Sequence, residues 1–448
     1  MMYHFKLFIP IIIFALLTGC GEQKNEHASQ NQEAAEVLQP ILISEENREA
    51  GGAYFAKDQH ENPVLCWTEK VDEKGESILK FAKFSISESQ FEKPVPVAPS
   101  IGTRIHGESM NKIAFKKDGT LAAVYAVKHP TEENRFAGSI FYTLSSDEGD
   151  TWSEPAYLHT DTLPGYGRGF FDLKTLPDGE IGAIWLDGRF GDTYPGSALY
   201  FAKTEKGAGF GKDKQIGEST CECCRTVLFV DGRDRIHVAY RDILFPSALN
   251  GQQVRDMVHS ISYNNGSTFS DVKRISADNW AIEGCPHTGP TLAANQTGLH
   301  AVWYTAGGDQ GLYYTSSDND GKSFIPRSKV KVSGEVKHPQ MIALPDSQLV
   351  VAWDEIQKPK ENIHKKEASV HGHGHDDYSA STARRQIVLQ LRKSDGETTN
   401  TVVSNAGTDG SYPTIMPLKN SKVIVAWTEN TKNGMPGIYY KIVDLKEI

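Results

Sequence analysis

The sequence predicts an all-β protein, a β-propeller of seven sequence units, because a strand motif repeats along the chain and helical periodicity is nearly absent. Each copy is a short apolar strand that ends in an aromatic residue, and a second strand-like run follows it. Gly, Asp, Asn or Pro separate the runs. Units of about 50 to 75 residues built of short strands are typical of blades around a channel. The recurring aromatic residues are Trp67, Tyr125, Trp185, Tyr240, Trp303, Trp353 and Trp427.

The first 20 residues have the features of an export signal. Lys6 precedes the apolar run 7–17, which is too short to span a bilayer and has the length of a signal-peptide core. The run ends in LTGC, which resembles a lipobox, so that Cys20 would become the lipidated first residue, with palmitate among its acyl chains. An ordinary signal peptide with a chance cysteine is the alternative. We predict a lipoprotein signal peptide over residues 1–20.

Residues 21–37 contain no aromatic residue and are predicted to be a flexible tether. Residues 38–448 follow as a single predicted propeller domain without a second apolar span. We therefore expect the protein in the cell envelope, outside the cytoplasm, with its lipid as a membrane anchor; in a Gram-negative cell the outer membrane is favoured. The formal net charge of −10 argues against nucleic acid as a partner, since phosphate binding needs clustered cations.

The two ends of the repeat complement each other. The last unit stops after its third strand, whereas the segment 38–44 (LQPILIS) is a strand without a unit. We therefore expect the N-terminal strand to complete the last unit and close the ring. Seven units favour seven blades, and a six-bladed ring with one degenerate unit is the alternative.

Three predicted hairpins carry a second motif: SSDEGDTW (145–152), SYNNGSTF (262–269) and SSDNDGKSF (316–324). They resemble the Asp-box S-x-D-x-G-x-T-W, in which a polar side chain caps turn amides and glycine takes a positive φ. Asn264 replaces the Asp of the second copy, and we align the third with one extra residue before Gly321. The motifs resemble the BNR/Asp-box repeats of sialidase-like β-propeller lipoproteins. This resemblance implies a propeller of sialidase type, and the Asp-boxes themselves need no cofactor.

Strand order within a blade predicts which residues meet at one mouth of the channel. Residues just before each first strand and at the end of each second strand should converge there. This set consists of His106, Glu108, Arg168, residues 221–225 and 284–287, His338 and Tyr412, together with Asp187, Arg189, Arg241 and Asp242.

Cysteine residues occupy two of these positions. Aligning units four to seven on CRTVLF, GPTLAA, HPQMIA and YPTIMP places the two cysteine runs in neighbouring blades. Thiolate and imidazole ligands suit Cu(I) or Zn(II), so we predict a soft-metal site as the main function. The alternative is a disulfide, because exported thiols tend to pair. The predicted ligands are Cys221, Cys223, Cys224, Cys285 and His287.

Two further features bear on metal chemistry. Cys66 lies in an apolar strand and is expected to be buried apart from the others. The His-rich insert 355–384 contains His371, His373 and His375, which could form a weak second metal site. A solvated polar loop is the alternative for this insert.

The resemblance to sialidases implies an enzymatic alternative, an exo-α-sialidase-type glycoside hydrolase. Such an enzyme needs an arginine cluster for a carboxylate, a Tyr nucleophile with an activating Glu, and an Asp acid/base. Gly169-Phe170 stands where the family has Ile-Pro, and no Glu can be assigned to the Tyr. A third class is a propeller that binds a glycan or a protein and whose cysteines form structural disulfides. The residues that the resemblance assigns are Arg168, with Arg225, Arg241 or Arg255 completing the cluster, Asp187 as acid/base and Tyr412 as nucleophile.

Overall fold

The computed structural model describes residues 39–448 except 72–74, 194, 250–251, 283, 285 and 357–383. Residues Pro40–Ile448 form one compact unit built of β-strands and three short 3₁₀ helices, at Ala98–Ser100, Gly191–Thr193 and Leu445–Glu447. Among the residues described, no helix is long and apolar enough to cross a membrane. The predicted all-β class is confirmed. The predictions for Cys20, Cys285, His371, His373 and His375 lie outside the described residues.

The strands fall into seven sequence units in the described part of the chain. The N-terminal strand β1 is Ile41–Leu42. Unit one contains β2 to β6, at Ala50–Lys57, Pro63–Lys70, Ser77–Ser85, Gln90–Phe91 and Val95–Pro96. Unit two contains β7 to β10, at Lys112–Phe115, Leu121–Lys128, Gly138–Ser145 and Ala156–Tyr157. Unit three contains β11 to β14, at Arg168–Thr175, Ile181–Asp187, Ser197–Lys203 and Lys214–Thr220.

The remaining units follow the same order. Unit four contains β15 to β18, at Val227–Val230, Ile236–Leu249, Gln252–Ser262 and Lys273–Arg274. Unit five contains β19 to β22, at Thr291–Asn295, Gly298–Thr305, Gly311–Ser317 and Ser328–Lys329. Unit six contains β23 to β26, at Val336–Ala343, Leu349–Ile356, Arg385–Arg392 and Thr398–Val402. Unit seven contains β27 to β29, at Gly410–Pro417, Lys422–Asn430 and Pro436–Asp444.

Within the units, successive strands pair antiparallel, and the sheets of units three and four are joined where Thr220 pairs with Asp242. The N-terminal strand β1 pairs with β29, the last strand of unit seven. Next to it, the Ile438 backbone N–H donates to Ser44 Oγ at 2.9 Å, and Ile43 N–H donates to the Ile438 oxygen at 2.9 Å. The prediction that the N-terminal strand completes the last unit is confirmed.

Apolar side chains pack between consecutive units. Seven core clusters lie in the described residues. Six of them combine side chains of two units that are consecutive in the sequence, and the seventh combines side chains of the first and last units. That cluster places Trp67 of unit one with Ile424 and Ala426 of unit seven. Burial of apolar surface is the main stabilising contribution, so this cluster also stabilises the contact between the first and last units.

The aromatic residue at the end of each second strand is a core residue with a repeated polar partner. Trp67, Trp185, Trp353 and Trp427 are fully buried, and a buried indole N–H needs an acceptor. In each case the Nε1–H donates to the carboxylate two residues later, over 2.8 to 3.1 Å. These acceptors are Glu69, Asp187, Glu355 and Glu429.

The Asp-box hairpins are present, and the third was aligned wrongly. Gly321 N–H donates to Ser317 Oγ at 2.8 Å, and Ser323 N–H donates to Asn319 Oδ1 at 3.0 Å. The box therefore starts at Ser317 and has no extra residue. Its Phe324 ring packs on His259 of the preceding unit, with centroids 5.8 Å apart. The other boxes pack in the same way, so the motif ties each hairpin to the unit before it.

Candidate functional site

Strand register identifies the residues that occupy equivalent places in different units. In each unit the residue just before the core aromatic residue pairs across the sheet with a residue of the first strand. These pairs are Gln340–Ala352 in unit six, Thr414–Ala426 in unit seven and Val227–Ala239 in unit four. Two residues before the first member of each pair lie His338, Tyr412 and Arg225. The alignment of CRTVLF with HPQMIA makes Cys224 equivalent to His338, whereas the strand register shifts this equivalence by one residue. Arg225 rather than Cys224 is thus equivalent to His338 and Tyr412.

A β-bulge sets the direction of these side chains. The first strand shifts register between Lys337 and Gln340 and again between Ser411 and Thr414. Inside these bulges His338 has φ 52° and Tyr412 has φ 53°, values that residues other than glycine rarely adopt. Bulges re-aim side chains and often lie beside active sites. The same bulge and positive φ recur in units one and three, at Gly52 and Phe170, so the distortion belongs to the repeat. The polar side chains of His338 and Tyr412 at this position mark the candidate site.

Glu108 links three units at this site. Its Oε1 accepts a hydrogen bond from Arg225 Nη1 at 3.2 Å and lies 3.9 Å from His338 Nε2. Arg225 Nη2 in turn donates to the Pro339 oxygen at 3.0 Å. Glu108 is 2% exposed, and its Oε2 has no hydrogen-bond partner among the described residues. The carboxylate is therefore held in place through one oxygen, and the other is buried.

His338 is held by a buried carboxylate. Its Nδ1 lies 2.5 Å from Asp354 Oδ2, which also accepts from the Tyr412 backbone N–H at 3.0 Å. Burial alone would raise the pKa of Asp354, but His338 and Arg385 lower it below its usual value. The Tyr412 ring stacks on the His338 ring, with centroids 4.1 Å apart. An Asp-oriented imidazole beside a phenol and a carboxylate is a combination that can move protons.

The three cysteines of unit four form a second cluster. Cys221 Sγ lies 3.6 Å from Cys224 Sγ and 3.9 Å from Cys223 Sγ, and all three sulfurs lie within 4.8 Å of one another. All three side chains are buried, and none of the three forms a disulfide with another described cysteine. Arg255 Nη1 donates to Cys221 Sγ at 3.3 Å. We call Cys221, Cys223 and Cys224 the thiol cluster.

The thiols differ in acidity because their neighbours differ. Hydrogen bonds from Cys223 and Cys224, assisted by the charge of Arg255, lower the pKa of Cys221 well below its usual value. Burial raises the pKa of Cys224 to about 12. The cluster therefore favours the thiolate form of Cys221, and thiolate is the form that binds metal.

The other predicted metal ligand lies elsewhere. His287 is exposed, and it is not part of the thiol cluster. Arg255 Nη1 contacts both Cys221 Sγ and the Gly284 oxygen, at 3.3 and 3.1 Å, which brings the backbone next to Cys285 close to the cluster. Cys66, as expected, is buried apart, and its thiol contacts the Asn111 oxygen at 3.8 Å.

The residues assigned by the sialidase resemblance do not form one group. Asp187 is fully buried and accepts from Arg168 at 3.2 Å and from Arg189 at 2.6 Å, in addition to Trp185. The indole–carboxylate pair recurs in three other units, which indicates a role in the fold. Arg241 donates to the backbone oxygens of Arg255 and Tyr304 and is likewise structural.

Sequence reasoning placed Glu108, His338 and Tyr412 at one mouth of the channel but gave His338 no partner. The carboxylate that holds it, Asp354, directly follows the core Trp353, and Arg385 follows the His-rich insert. A carboxylate one residue after the aromatic, rather than two, is the signal that could have been used. In unit four the residue after the core Tyr240 is Arg241, and the carboxylate, Asp242, comes one residue later. A carboxylate directly after the aromatic residue is therefore not repeated in unit four.

Four-stranded antiparallel units that pack in series, with bulged first strands bearing polar side chains, define a protein of the β-propeller class. More narrowly, the chain belongs to the family of BNR repeat-like domains, whose model matches residues 67–425. None of the curated proteins matches the sequence significantly.

Three solved structures share the fold at low identity. A protein of unknown function from Dyadobacter fermentans is 15% identical, with a TM-score of 0.50 over 90% of this chain and 97% of the other. The polysaccharide lyase Uly1 is 10% identical, with a TM-score of 0.52 over 91% and 92%. An ulvan lyase of a polysaccharide lyase family is 11% identical, with a TM-score of 0.53 over 91% and 96%. These similarities concern the fold.

Proposed function

We propose that the protein is an extracytoplasmic seven-bladed propeller, anchored to a membrane through lipid on Cys20, that binds one soft metal ion at the thiol cluster. The seven units and the core cluster between units seven and one support the ring. The LTGC motif supports the anchor.

The sulfur spacing is the observation that carries the metal proposal. Zn–S bonds of about 2.3 Å at tetrahedral angles separate two sulfurs by about 3.8 Å, and trigonal angles give about 4.0 Å. The Cys221–Cys223 separation of 3.9 Å lies within this range, and the Cys221–Cys224 separation of 3.6 Å is about 0.2 Å shorter. Three thiolates prefer Cu(I) or Zn(II) to Mg(II) or Ca(II), which take oxygen ligands. Cys285 is the proposed fourth ligand.

Charge favours the same conclusion. Three thiolates around one Cu(I) or Zn(II) leave a net negative charge, which costs several kcal/mol when buried without compensation. The Arg255 guanidinium on Cys221 supplies a positive charge at 3.3 Å. The protein thus has both the soft ligands and the counter-charge that such a centre requires.

The test is metal binding by reduced, untagged protein. We expect about one Cu(I) or Zn(II) per chain in competition with a chromophoric chelator, and Co(II) should give a thiolate charge-transfer band. Cys221→Ser and Cys224→Ser should lose most of the affinity. Cys66→Ala is the matched control, because Cys66 is also a buried thiol but lies outside the cluster. A native Cys221–Cys224 disulfide without bound metal would overturn the proposal in favour of structural disulfides.

A second candidate function rests on the other cluster. Ionisable side chains from units two, four, six and seven converge where Glu108, Arg225, His338 and Tyr412 meet. Two proteins with the same fold are called a polysaccharide lyase and an ulvan lyase, so we propose a glycan as the substrate. Asp354 would orient His338 for proton transfer, with Tyr412 as its partner.

Activity assays separate this candidate from the sialidase alternative. On acidic polysaccharides, His338→Ala should abolish product formation, whereas Arg168→Ala should change stability alone. On an aryl sialoside, the sialidase alternative requires turnover that depends on Arg168 and Asp187. Activity that survives His338→Ala would exclude the proposed site.

A further inference from the structure

Three cations without acidic partners lie at one end of unit two. Arg104 and Arg135 are exposed, and Lys128 is half-buried. None of the three forms an ion pair within the described part of the chain. The whole protein has a formal net charge of −10, so a group of unneutralised cations is unusual on its surface. Such a group is a candidate site for an anion.

The Phe136 ring holds two of these cations. Lys128 Nζ lies 5.5 Å and Arg135 Cζ lies 4.7 Å from the ring centre, distances at which an aromatic ring attracts a cation. The ring itself is 54% exposed. Burial lowers the pKa of Lys128, and the charges of Arg104 and Arg135 lower it further, so both arginines lie close enough to act on its ammonium. We call Arg104, Lys128, Arg135 and Phe136 the cationic patch.

The loop between β8 and β9 is braced by hydrogen bonds. Asn134 Oδ1 accepts from the Phe136 N–H at 2.9 Å, and Asn134 Nδ2 donates to the Gly165 oxygen at 2.8 Å. At the end of the loop, the Gly138 N–H donates to the Tyr166 oxygen at 2.9 Å, which ties the loop to the segment before unit three. A ligand of the patch therefore meets side chains on an ordered backbone, which lowers the entropy cost of binding.

The cationic patch lies at the same end of unit two as the candidate glycan site. The start of β7 pairs with the middle of β8, so Lys128 at the end of β8 and the residues that precede β7 share this end. Gly107 packs on the half-buried Tyr412 ring, with no room for a Cβ between them. Arg104 precedes Gly107 by three residues, which limits the separation of their Cα atoms to about 11 Å. A polymer bound beside Tyr412 can therefore also contact the patch.

We propose that the cationic patch binds the acidic group of a glycan chain, a carboxylate or a sulfate ester, as a subsite beside Glu108, His338 and Tyr412. The inference rests on the glycan candidate of the proposed function and adds the substrate class. Neighbouring cations repel one another, so an anion gains charge-assisted hydrogen bonds and also removes this repulsion. The exposed part of Phe136 offers apolar surface to the sugar ring that carries the anion.

An anionic membrane fits these residues less well. Polybasic segments that bind anionic lipids have about four to eight cations, and the patch has three. Glu132 and Glu133 are exposed in the same loop and would meet a flat lipid surface together with Arg135. A single acidic sugar can contact the cations without approaching these carboxylates.

The experiment measures binding to the purified full-length protein by calorimetry at low salt, with four hexamers as probes: hexagalacturonate, sulfated maltohexaose, maltohexaose and hexaglutamate. The two acidic sugars should bind, and the tighter of them identifies the preferred acidic group. Arg104→Gln, Lys128→Gln and Arg135→Gln should each weaken binding about twofold to fivefold, as expected of exposed charges, and the triple variant at least tenfold. Lys117→Gln is the matched control, since Lys117 is an exposed cation in the turn at the opposite end of unit two, and it should leave binding unchanged.

A separate variant distinguishes this subsite from the proposed glycan activity. His338→Ala should abolish turnover of acidic polysaccharides but keep the affinity for the acidic hexamer within about twofold. Turnover without an effect of the patch variants would overturn the subsite alone, whereas patch-dependent binding without turnover would overturn the activity alone. Thermal unfolding checks each variant, and if Lys128→Gln fails to fold, the two exposed arginines carry the test.

Four results would overturn the proposal. They are no binding of either acidic sugar at millimolar concentration, equal binding of hexaglutamate, unchanged affinity in the folded triple variant, and patch-dependent binding to phosphatidylglycerol vesicles without binding of the sugars. The vesicle measurement uses Cys20→Ser, which keeps an acyl chain out of the comparison.

Discussion

Glu108 and Arg225 lie 117 residues apart in the sequence, yet Arg225 Nη1 donates to Glu108 Oε1 at 3.2 Å in a buried ion pair. Glu108 precedes the first strand of unit two, and Arg225 precedes the first strand of unit four. His338 of unit six lies 3.9 Å from the same carboxylate. The ion pair therefore connects units that share no strand, and it positions the candidate glycan site.

Breaking this pair should be costly. Arg225→Met leaves the Glu108 carboxylate buried without its partner, and such a loss typically costs about 3–5 kcal/mol. We expect the free energy of unfolding in urea to fall by that amount, and the double variant with Glu108→Gln to recover much of it. A loss of under about 1 kcal/mol in the single variant would mean that the pair is solvated like a surface ion pair.

Asp242 should make the stability depend on pH. Burial raises its pKa to about 7 in the folded protein, and the pKa is about 3.9 in an unfolded chain, so the folded state holds the proton between these values. The wild type should therefore lose stability as pH rises from about 4 to 7, relative to Asp242→Asn. At pH 8 the Asn variant should be more stable by roughly 2–4 kcal/mol, and at pH 5 the difference should shrink. Equal differences at the two pH values would contradict this prediction.

The N-terminal strand should stabilise the last unit. Removing residues 38–44 leaves the Ile438 N–H and the outer edge of β29 unpaired and should lower the melting temperature. The smaller change Ser44→Ala should cost about 1 kcal/mol, since one buried hydrogen bond is lost. Ser87→Ala, on an exposed turn, is the control and should have no measurable effect. An unchanged melting temperature after the truncation would refute the role of this strand.

Replacing the Asp-box glycine of unit five should destabilise the protein for two separate reasons. Gly321 has φ +80°, and a Cβ there would overlap the ring of His259. Gly396 has φ +91° with open space around it, so Gly396→Ala measures the backbone effect alone. We expect Gly396→Ala to cost about 1 kcal/mol and Gly321→Ala to cost more, by about 1–3 kcal/mol, because the hairpin must move. Equal losses of the free energy of unfolding in urea for the two variants would show that the hairpin moves away from His259 without a measurable cost.

Membrane association should depend on the lipobox cysteine. Cys20→Ser should move the protein from the membrane fraction to the soluble extracytoplasmic fraction, and palmitate labelling should disappear, because a lipid anchor needs the thiol. Lys6→Arg keeps the charge before the apolar run and serves as the control. Recovery of the Ser variant in the membrane fraction at the wild-type level would contradict the prediction that Cys20 carries a lipid anchor.

The strands, their grouping into units and the pairing of the N-terminal strand with the last unit could all be predicted from the sequence. These features depend on local alternation, on turn residues and on an apolar face that must be covered. The Asp-box spacing is equally local, although the doubled serine at Ser316 and Ser317 led to a wrong alignment that the hydrogen bonds to Ser317 correct.

The contacts between polar side chains could not be predicted from the sequence and became visible in the folded structure. Asp187 looked catalytic from its spacing but is buried as the acceptor of Trp185, whereas Asp354, one position earlier relative to its Trp, holds His338. A one-residue change along a strand sends a side chain to the opposite face of the sheet. Contacts between distant units, such as that of Glu108 with Arg225, depend on the arrangement of whole units, which no local pattern encodes.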